Sequence, residues 1–389
     1  MKMHSAKKKQ QQLNQKLINK QLTKTICLTM IVRNESKNMV RLLNSVKPII
    51  DYVSIVDTGS TDNTVSIIND WCKKKNIPGT VHQQPFKNFS FNRTQSVIKA
   101  KQTYPADYLL LSDADFIWEI GDFNKKLLFA DKFQVFQKTA NLHYSNLRLI
   151  KASLEWECVG ATHEYWQEKP GQGHIVQHTL ATLTINDIDD GGHKADKFIR
   201  DKKLLMDELA TDIPDGLRMR DHFYLGQTLK TLREFDDSIL NYKKRIEMQG
   251  WAEEVYYSYY QIGQIYKGFY DTDKKEEDFN LAIEWLIKGW EYRPTRAESL
   301  AVATTLLRTA SRHQEAYDLA IKGKKIKMPN DILFIETTIY QWHFDLELLM
   351  TAFYLGKFQE GADACVYLLE QDLPHDTLKL VQDNCKFYI

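Results

Sequence analysis

The first half of the chain alternates short apolar runs with polar turns. Thr25-Ile-Cys-Leu-Thr-Met-Ile-Val32 and Tyr52-Val-Ser-Ile-Val56 have the length and β-branched content of buried strands. The first leads through Arg33-Asn-Glu-Ser36 into a helix-like stretch at 38–46. The second breaks into Asp57-Thr-Gly-Ser-Thr-Asp-Asn-Thr64, where a glycine suited to a tight turn stands among helix-capping residues. Helical spacing resumes through Val65, Ile67, Ile68 and Trp71. A third run, Tyr108-Leu-Leu-Leu-Ser-Asp-Ala-Asp115, reads as a strand ending on two carboxylates one residue apart. Strand alternation would point Asp113 and Asp115 the same way. Strand, acidic turn and helix in repetition predict an α/β domain whose ligand crevice lies beyond the carboxyl ends of its parallel strands. Glu35, Asp57, Asp113 and Asp115 all fall at those ends and are expected to converge.

From about residue 200 the strand signals fade and helical periodicity takes over. Gly263 and Tyr266 precede Ala282, Leu286, Gly289 and Pro294, and a degenerate form of the pattern appears at Ser238, Tyr242 and Gly250. It returns at Ala316, Ala320 and Pro329, and again at Ala362, Val366 and Pro374. The pattern resembles the tetratricopeptide repeat, in which small residues let paired helices approach closely. Spacings of 44, 34 and 46 residues imply inserts, and Asp271-Thr-Asp-Lys-Lys-Glu-Glu-Asp278 is the expected inserted loop. Tyr256, Tyr257, Tyr259, Tyr260, Trp285 and Trp290 read as packing residues, with stacking on a sugar or holding a peptide as the alternative. The expected organisation is a basic extension at 1–24, an α/β domain at 25–200 and an all-α array at 201–389.

Two adjacent carboxylates beyond a buried strand repel each other unless a cation lies between them. Mg²⁺ and Mn²⁺ suit such a pair, because they take carboxylate and diphosphate oxygens together. With this chemistry in view, Met30-Ile-Val-Arg-Asn-Glu35, Asp57-Thr-Gly-Ser-Thr-Asp62, Phe89-Ser-Phe-Asn-Arg93 and Leu111-Ser-Asp-Ala-Asp115 resemble, in order, the nucleotide-sugar motifs of family 2 glycosyltransferases. That resemblance spans roughly residues 25–200. It implies an A-type fold with a mostly parallel sheet, a nucleotide-sugar donor (a UDP-sugar foremost) and bound Mn²⁺ or Mg²⁺.

Residue by residue, the resemblance places Val32, Asn34 and Glu35 beside the nucleotide and gives Asp57 the donors of base or ribose. Asp113 would reach ribose or metal, Asp115 would bind the metal, and Arg93 would offer its planar fork to phosphate or a base edge. Each has a local alternative: Asp57 and Asp62 as turn caps, Asn34 and Glu35 as helix caps, Arg93 in a surface ion pair. Further on, Glu155-Trp-Glu-Cys-Val-Gly-Ala-Thr-His-Glu-Tyr-Trp166 falls where the family carries its Val-His-Glu motif, here with Ala161 and Thr162 before His163. Inverting transfer needs a base for the acceptor proton. Glu164 is the candidate base and His163 the candidate third metal ligand or diphosphate donor; the two roles are interchangeable, and Glu157 is a further base candidate. The cluster Asp189-Asp-Gly-Gly-His-Lys-Ala-Asp-Lys197 begins as a glycine hinge and becomes a helix start. Its His193 and Lys197 are candidates to close over the diphosphate, while Lys194, Lys197 and Arg200 also fit a solvated basic face.

Composition narrows the function classes. No apolar run approaches a membrane span. The first 24 residues hold seven lysines and no acid, so the remainder, with 45 basic against 51 acidic residues, offers no nucleic-acid groove. That extension lacks the apolar centre of a signal peptide and gives at most a weak grip on an anionic membrane surface. Five cysteines with no paired spacing point to a reducing, cytoplasmic compartment without structural disulfides. Two functions fit these features. One is an active transferase acting on a protein or glycan acceptor; the other is a nucleotide-binding scaffold without turnover, whose helices hold a protein partner.

Overall fold

The computed structural model describes residues 23–138, 143–190 and 196–388. Most of the basic extension, together with His193 and Lys194, lies outside the described residues. The described chain divides into two compact units, the first ending at Arg200 and the second beginning at Asp201.

In the first unit β1 (Ile26–Val32), α1 (Met39–Val46), β2 (Tyr52–Asp57), α2 (Thr64–Lys75), β3 (Gly79–Gln83), α3 (Phe89–Thr103) and β4 (Tyr108–Leu111) alternate along the chain. The four strands lie parallel in the order β3-β2-β1-β4. Both faces of β1 are covered, which is why its sequence reads as an unbroken apolar run. Ile26, Leu28, Met30 and Val32 pack with Met39, Leu42, Leu43 and Val46 of α1. Cys27 faces the other way, onto Val97 and Ala100 of α3 and onto Trp156. The sheet continues through β7 (His143–Lys151), β6 (Lys132–Lys138), β10 (Gln177–Asp187) and β5 (Phe116–Ile120). Of these, β7 runs antiparallel to β4. A separate hairpin of β8 (Trp156–Val159) and β9 (Tyr165–Glu168) carries the His163–Glu164 turn.

The third apolar run is shorter than its sequence suggests. β4 ends at Leu111, and residues 112–115 form the turn into β5. Strand alternation therefore does not govern Asp113 and Asp115, and the two carboxylates meet different neighbours.

The second unit is helical: α4 (Lys197–Leu209), which begins just before the division, then α5 (Asp215–Thr231), α6 (Phe235–Glu247), α7 (Ala252–Asp273), α8 (Glu276–Tyr292), α9 (Glu298–Thr309), α10 (His313–Gly323), α11 (Phe344–Ala352), α12 (Phe358–Leu369) and α13 (His375–Cys385). From α5 onward each helix packs on the next, as expected of a tetratricopeptide-like array. Small residues mark the close approaches. A Cβ on Gly226 would stand 2.9 Å from the Tyr242 ring, and one on Gly263 would stand 2.6 Å from Leu286 Cγ.

Three expectations about this unit need correction. Residues 271–278 are not a loop: α7 runs on to Asp273, and Lys274 in the left-handed region (φ 53°) turns the chain into α8 at Glu276. In the fourth repeat the buried face is Ala364, Cys365 and Leu368, whereas Val366 is 58% exposed. Lastly, Cys365 and Cys385 form a disulfide across α12 and α13, at a Cα–Cα distance of 5.6 Å. Their 20-residue separation gave no local spacing signal; helix packing brings them together. Cys27, Cys72 and Cys158 are free and buried. Among the described residues no helix is long and apolar enough to cross a membrane.

Candidate functional site at the carboxyl edge of the sheet

Register sets the rim of the site. Val32 lies beside Asp57, and Asp57 beside Gln83, in one row across the carboxyl ends of β1, β2 and β3. Beyond this row lies a recess of about 350 Å³ lined by Arg33, Thr58, Gly59, Gln83, Gln84, Pro85 and Phe86. Asp57 is buried behind it and accepts the Gly59 N–H (3.3 Å) and the Ser60 N–H (3.1 Å). It therefore caps its own turn while standing at the recess.

The loop after β1 is sewn to that turn. Asn34 takes a left-handed conformation (φ 56°), which asparagine tolerates better than most residues. Its N–H donates to Ser60 Oγ (2.9 Å), and its Oδ1 accepts the Thr61 N–H (2.7 Å). The Glu35 N–H donates to Thr64 Oγ1 (2.8 Å), and Glu35 Oε2 accepts from Asn38 Nδ2 (3.0 Å). Asp62 is a turn cap as well. Against a desolvation cost, hydrogen bonds from Thr64 and Ser36 hold its carboxyl down at about 2.

The centre of the site is a chain of charges drawn from distant segments. Asn88 caps α3 by accepting the Phe91 N–H (2.8 Å), and this helix start presents Arg93. Arg93 donates from Nε to Glu164 Oε1 (2.6 Å) and from Nη2 to Asp113 Oδ1 (2.6 Å). Arg148 on β7 donates to the other Asp113 oxygen (3.3 Å) and to Gln137 Oε1 (3.0 Å), while its guanidinium stacks 4.7 Å from the Phe116 ring centre. Gln137 Nε2 in turn donates to Asp187 Oδ2 (2.9 Å). Burial disfavours the Asp113 charge, but Arg93 and Arg148 outweigh it and hold the carboxyl below its ordinary range.

Asp115 meets the opposite environment. Burial first, then the charges of Asp113, Asp187 and Glu35, push it up to about 6. A divalent ion relieves that kind of crowding. Among the described residues, however, no three His, Cys, Asp or Glu side chains are arranged to hold a metal by themselves. Asp113, Asp115 and His163 thus do not assemble into a ready-made cage. His163 is exposed at a left-handed turn position (φ 51°). Mg²⁺ and Mn²⁺ commonly bind through one or two carboxylates together with substrate phosphates and water, and Asp115 fits that mode.

The remaining candidates stand apart. Lys197 is exposed in the first turn of α4, its Nζ 6.0 Å from the Phe198 ring centre. Glu157 accepts from Gln167 Nε2 (2.8 Å) along the hairpin. Sequence reasoning missed Arg148, Gln137 and Asp187, although Asn146 and Arg148 alternate with Leu147 and Leu149 on β7 and so mark a polar face on an otherwise apolar strand. It also missed Arg41 of α1, whose fork grips Asp190, in the segment after β10, at 2.6 and 2.7 Å near the charges of Asp115 and Glu35.

Residues 27–187 match the model of the family described as "Glycosyl transferase family 2". An uncharacterized glycosyltransferase of Rickettsia conorii is 50% identical over 50 residues, which cover 13% of this chain and 18% of that relative. The chain thus spans under a fifth of the curated relative's length. Among solved structures, TarS 1–349 of S. aureus in complex with UDP is 12% identical (TM-score 0.30, covering 79% of this chain and 94% of that one). The mannosyltransferase PcManGT of Pyrobaculum calidifontis, in complex with GDP-Man and Mn²⁺, is 11% identical (TM-score 0.37, covering 69% and 87%). A tetratricopeptide-repeat protein of Thermus thermophilus is 11% identical (TM-score 0.34, covering 48% and 88%). It is the family match, laid over the strands and motifs described above, that defines the first unit. Residues 27–187 form a glycosyl transferase family 2 domain.

Proposed function

We propose that this chain transfers a sugar, with inversion, from a nucleoside-diphosphate donor, a UDP-sugar foremost, to a hydroxyl of a glycan or protein acceptor. The observation that carries the reading is the union of Arg93, Asp113 and Glu164, from three separate motifs, in one ion-paired chain beside the crowded carboxylate of Asp115. The recess next to Asp57 suits a planar base, with Val32, Asn34 and Glu35 along the ribose side. Asp115 would hold Mn²⁺ or Mg²⁺ together with the donor's diphosphate oxygens, Asp113 contributing where its arginines leave a lone pair. The ion would supply charge neutralisation for the leaving diphosphate.

Arg93 links donor and base. Its fork now spans Asp113 and Glu164, and a bound diphosphate offers a competing anionic acceptor of matching geometry. Drawn toward phosphate, Arg93 would release Glu164 to take the acceptor proton. His163 and Lys197 stand as diphosphate donors, and His193 keeps that role as an expectation outside the described residues.

The occupation of both Asp113 oxygens by arginines favours the second reading, a nucleotide-binding scaffold without turnover. One experiment separates the two. UDP release is followed from a panel of UDP-sugars with Mn²⁺ or with EDTA, for the wild type and for Asp115→Asn. Metal-dependent release that vanishes in Asp115→Asn is expected. Near wild-type turnover by that variant in Mn²⁺ overturns the assignment of Asp115.

A further inference from the structure

The stretch between α10 and α11 does more than connect them. Residues 331–336, Asp-Ile-Leu-Phe-Ile-Glu, lie against α7 and the start of α9, and it is their main chain that is gripped. Glu253 Oε2 accepts two successive N–H groups, from Ile332 (2.8 Å) and Leu333 (2.7 Å). Arg296, fully buried, donates to two successive carbonyls, from Nη1 to Leu333 (3.1 Å) and from Nη2 to Phe334 (3.2 Å). The two ends are held by charge and hydroxyl. Asp331 takes the fork of Arg293 (2.6 Å from Nε) and a bond from Arg296 (3.3 Å), and Glu336 accepts from the Tyr260 hydroxyl (2.9 Å).

Glu253, Tyr257 and Tyr260 recur at intervals of four and three residues and so share one face of α7. The Phe334 ring lies 4.7 Å from that of Tyr257. A linker retained for core packing would bury its apolar side chains. Here, of the apolar side chains, only Leu333 and Ile335 are partly buried, Leu333 in the apolar cluster that includes Tyr257. It is the main chain and the Asp331 carboxylate that are held by charged side chains. Glu336 is exposed, Ile332 is 82% exposed and Phe334 is 42% exposed in a left-handed conformation (φ 49°). That conformation is costly for a bulky residue. The segment sits on this face as a ligand would.

We propose that the α7–α9 face is a receptor for an extended polypeptide carrying two carboxylates five residues apart with apolar residues between them, and that Asp331–Glu336 occupies it in cis. Recognition runs mainly through backbone groups, so the face reads the acidic ends and tolerates variety between them. A tethered occupant competes at high effective concentration, which keeps the face closed until a matching partner is abundant or the tether is loosened. The inference does not depend on the reading of the sugar-transfer site.

The probe is a fluorescent peptide of residues 330–337, Asn-Asp-Ile-Leu-Phe-Ile-Glu-Thr, added to the full chain. Asp331→Ala weakens the resident segment and leaves the fork of Arg293 to the peptide's own aspartate, while Arg296 keeps its two bonds to Glu298. It is expected to bind the peptide roughly tenfold or more tightly than wild type, since charge-assisted forks are the strongest contacts here. Adding Glu253→Gln to that variant should remove the gain. Equal binding by wild type and a folded Asp331→Ala, or binding indifferent to Glu253→Gln, overturns the proposal. So does dimerisation of Asp331→Ala without peptide binding, which would put a second copy on the face. A further measurement uses wild type alone: saturating peptide should speed hydrogen exchange at the Ile332 and Leu333 amides. Unchanged exchange under peptide excess refutes the receptor even where the variant fails to fold.

Discussion

Glu164 and Asp113 share one arginine, and this sharing decides what substitutions at the site should do. A base that takes the acceptor proton acts in the transition state and contributes little to donor binding. Glu164→Gln keeps the shape and an acceptor for Arg93 Nε, so donor Kd should stay nearly unchanged while kcat falls by about 10²–10⁴-fold. Paired titrations of UDP binding and single-turnover transfer check this. Donor affinity falling in step with rate would make Glu164 an anchor for Arg93 instead, and Glu157 would be tested next. Sequence motifs pointed to Arg93, Asp113 and Glu164 because their residue types stand out at strand and helix ends. They gave no sign that Asp113 would sit between two guanidiniums, since Arg148 arrives from β7, 35 residues further on. Asp57 and Asp62 do cap the turn, as the sequence allowed, and Asp57 does so buried behind the recess. Polar side chains at turns carry both meanings until their partners are known.

At the scale of elements, period and punctuation located β1, β2, β4, α1 and α2, because burial on both sheet faces leaves continuous apolar runs, whereas β3, α3 and most strands from β5 onward were not read from the sequence. The end of β4 was misread because Ser112 and Ala114 interrupt nothing in an apolar pattern. In the helical unit small residues carried the signal, and their importance is measurable. Gly263→Ala gains about 1 kcal/mol of helix propensity. The new Cβ would meet Leu286 Cγ at 2.6 Å and the Leu286 backbone nitrogen at 3.2 Å, and Leu286 is fully buried. Overpacking costs about 1–3 kcal/mol, so net destabilisation is expected, read as a lower Tm. A second element-level test concerns α4 and α5. Burial, then the charge of Glu208, pushes Asp221 up to about 8, with Arg220 and Arg218 opposing more weakly. The folded state therefore holds this proton more tightly than the unfolded chain. Its contribution to stability is complete below about pH 4, the ordinary carboxyl range, and is lost as pH rises through about 8. Between pH 6 and 9 the wild-type Tm should fall more than that of Asp221→Asn; parallel curves would place the titrating group elsewhere.

For the whole molecule, the question is which unit binds donor and which, if either, holds acceptor. Every candidate donor residue within the family match lies before residue 188, so we expect nucleotide binding to reside in the first unit. The place to divide the chain follows from packing. Leu205 is fully buried with Leu225 and Leu229 of α5, so a cut near residue 210 would strand an apolar side chain in water. Arg200 instead stacks 5.0 Å from the ring centre of Phe89 at the start of α3, within the first unit. A fragment ending at Arg200 should therefore fold with its sheet intact and bind UDP with an affinity close to that of the full chain. Transfer to the true acceptor should collapse in the same fragment if the helical unit holds that acceptor, whereas simple hydrolysis of the donor should persist. Isothermal titration with UDP and Mn²⁺, paired with hydrolysis and transfer assays, reads all three quantities. A folded fragment without UDP affinity would mean that donor binding needs residues beyond 200. Undiminished transfer would relieve the helical unit of any part in acceptor selection and leave its α7–α9 face to a partner outside the reaction.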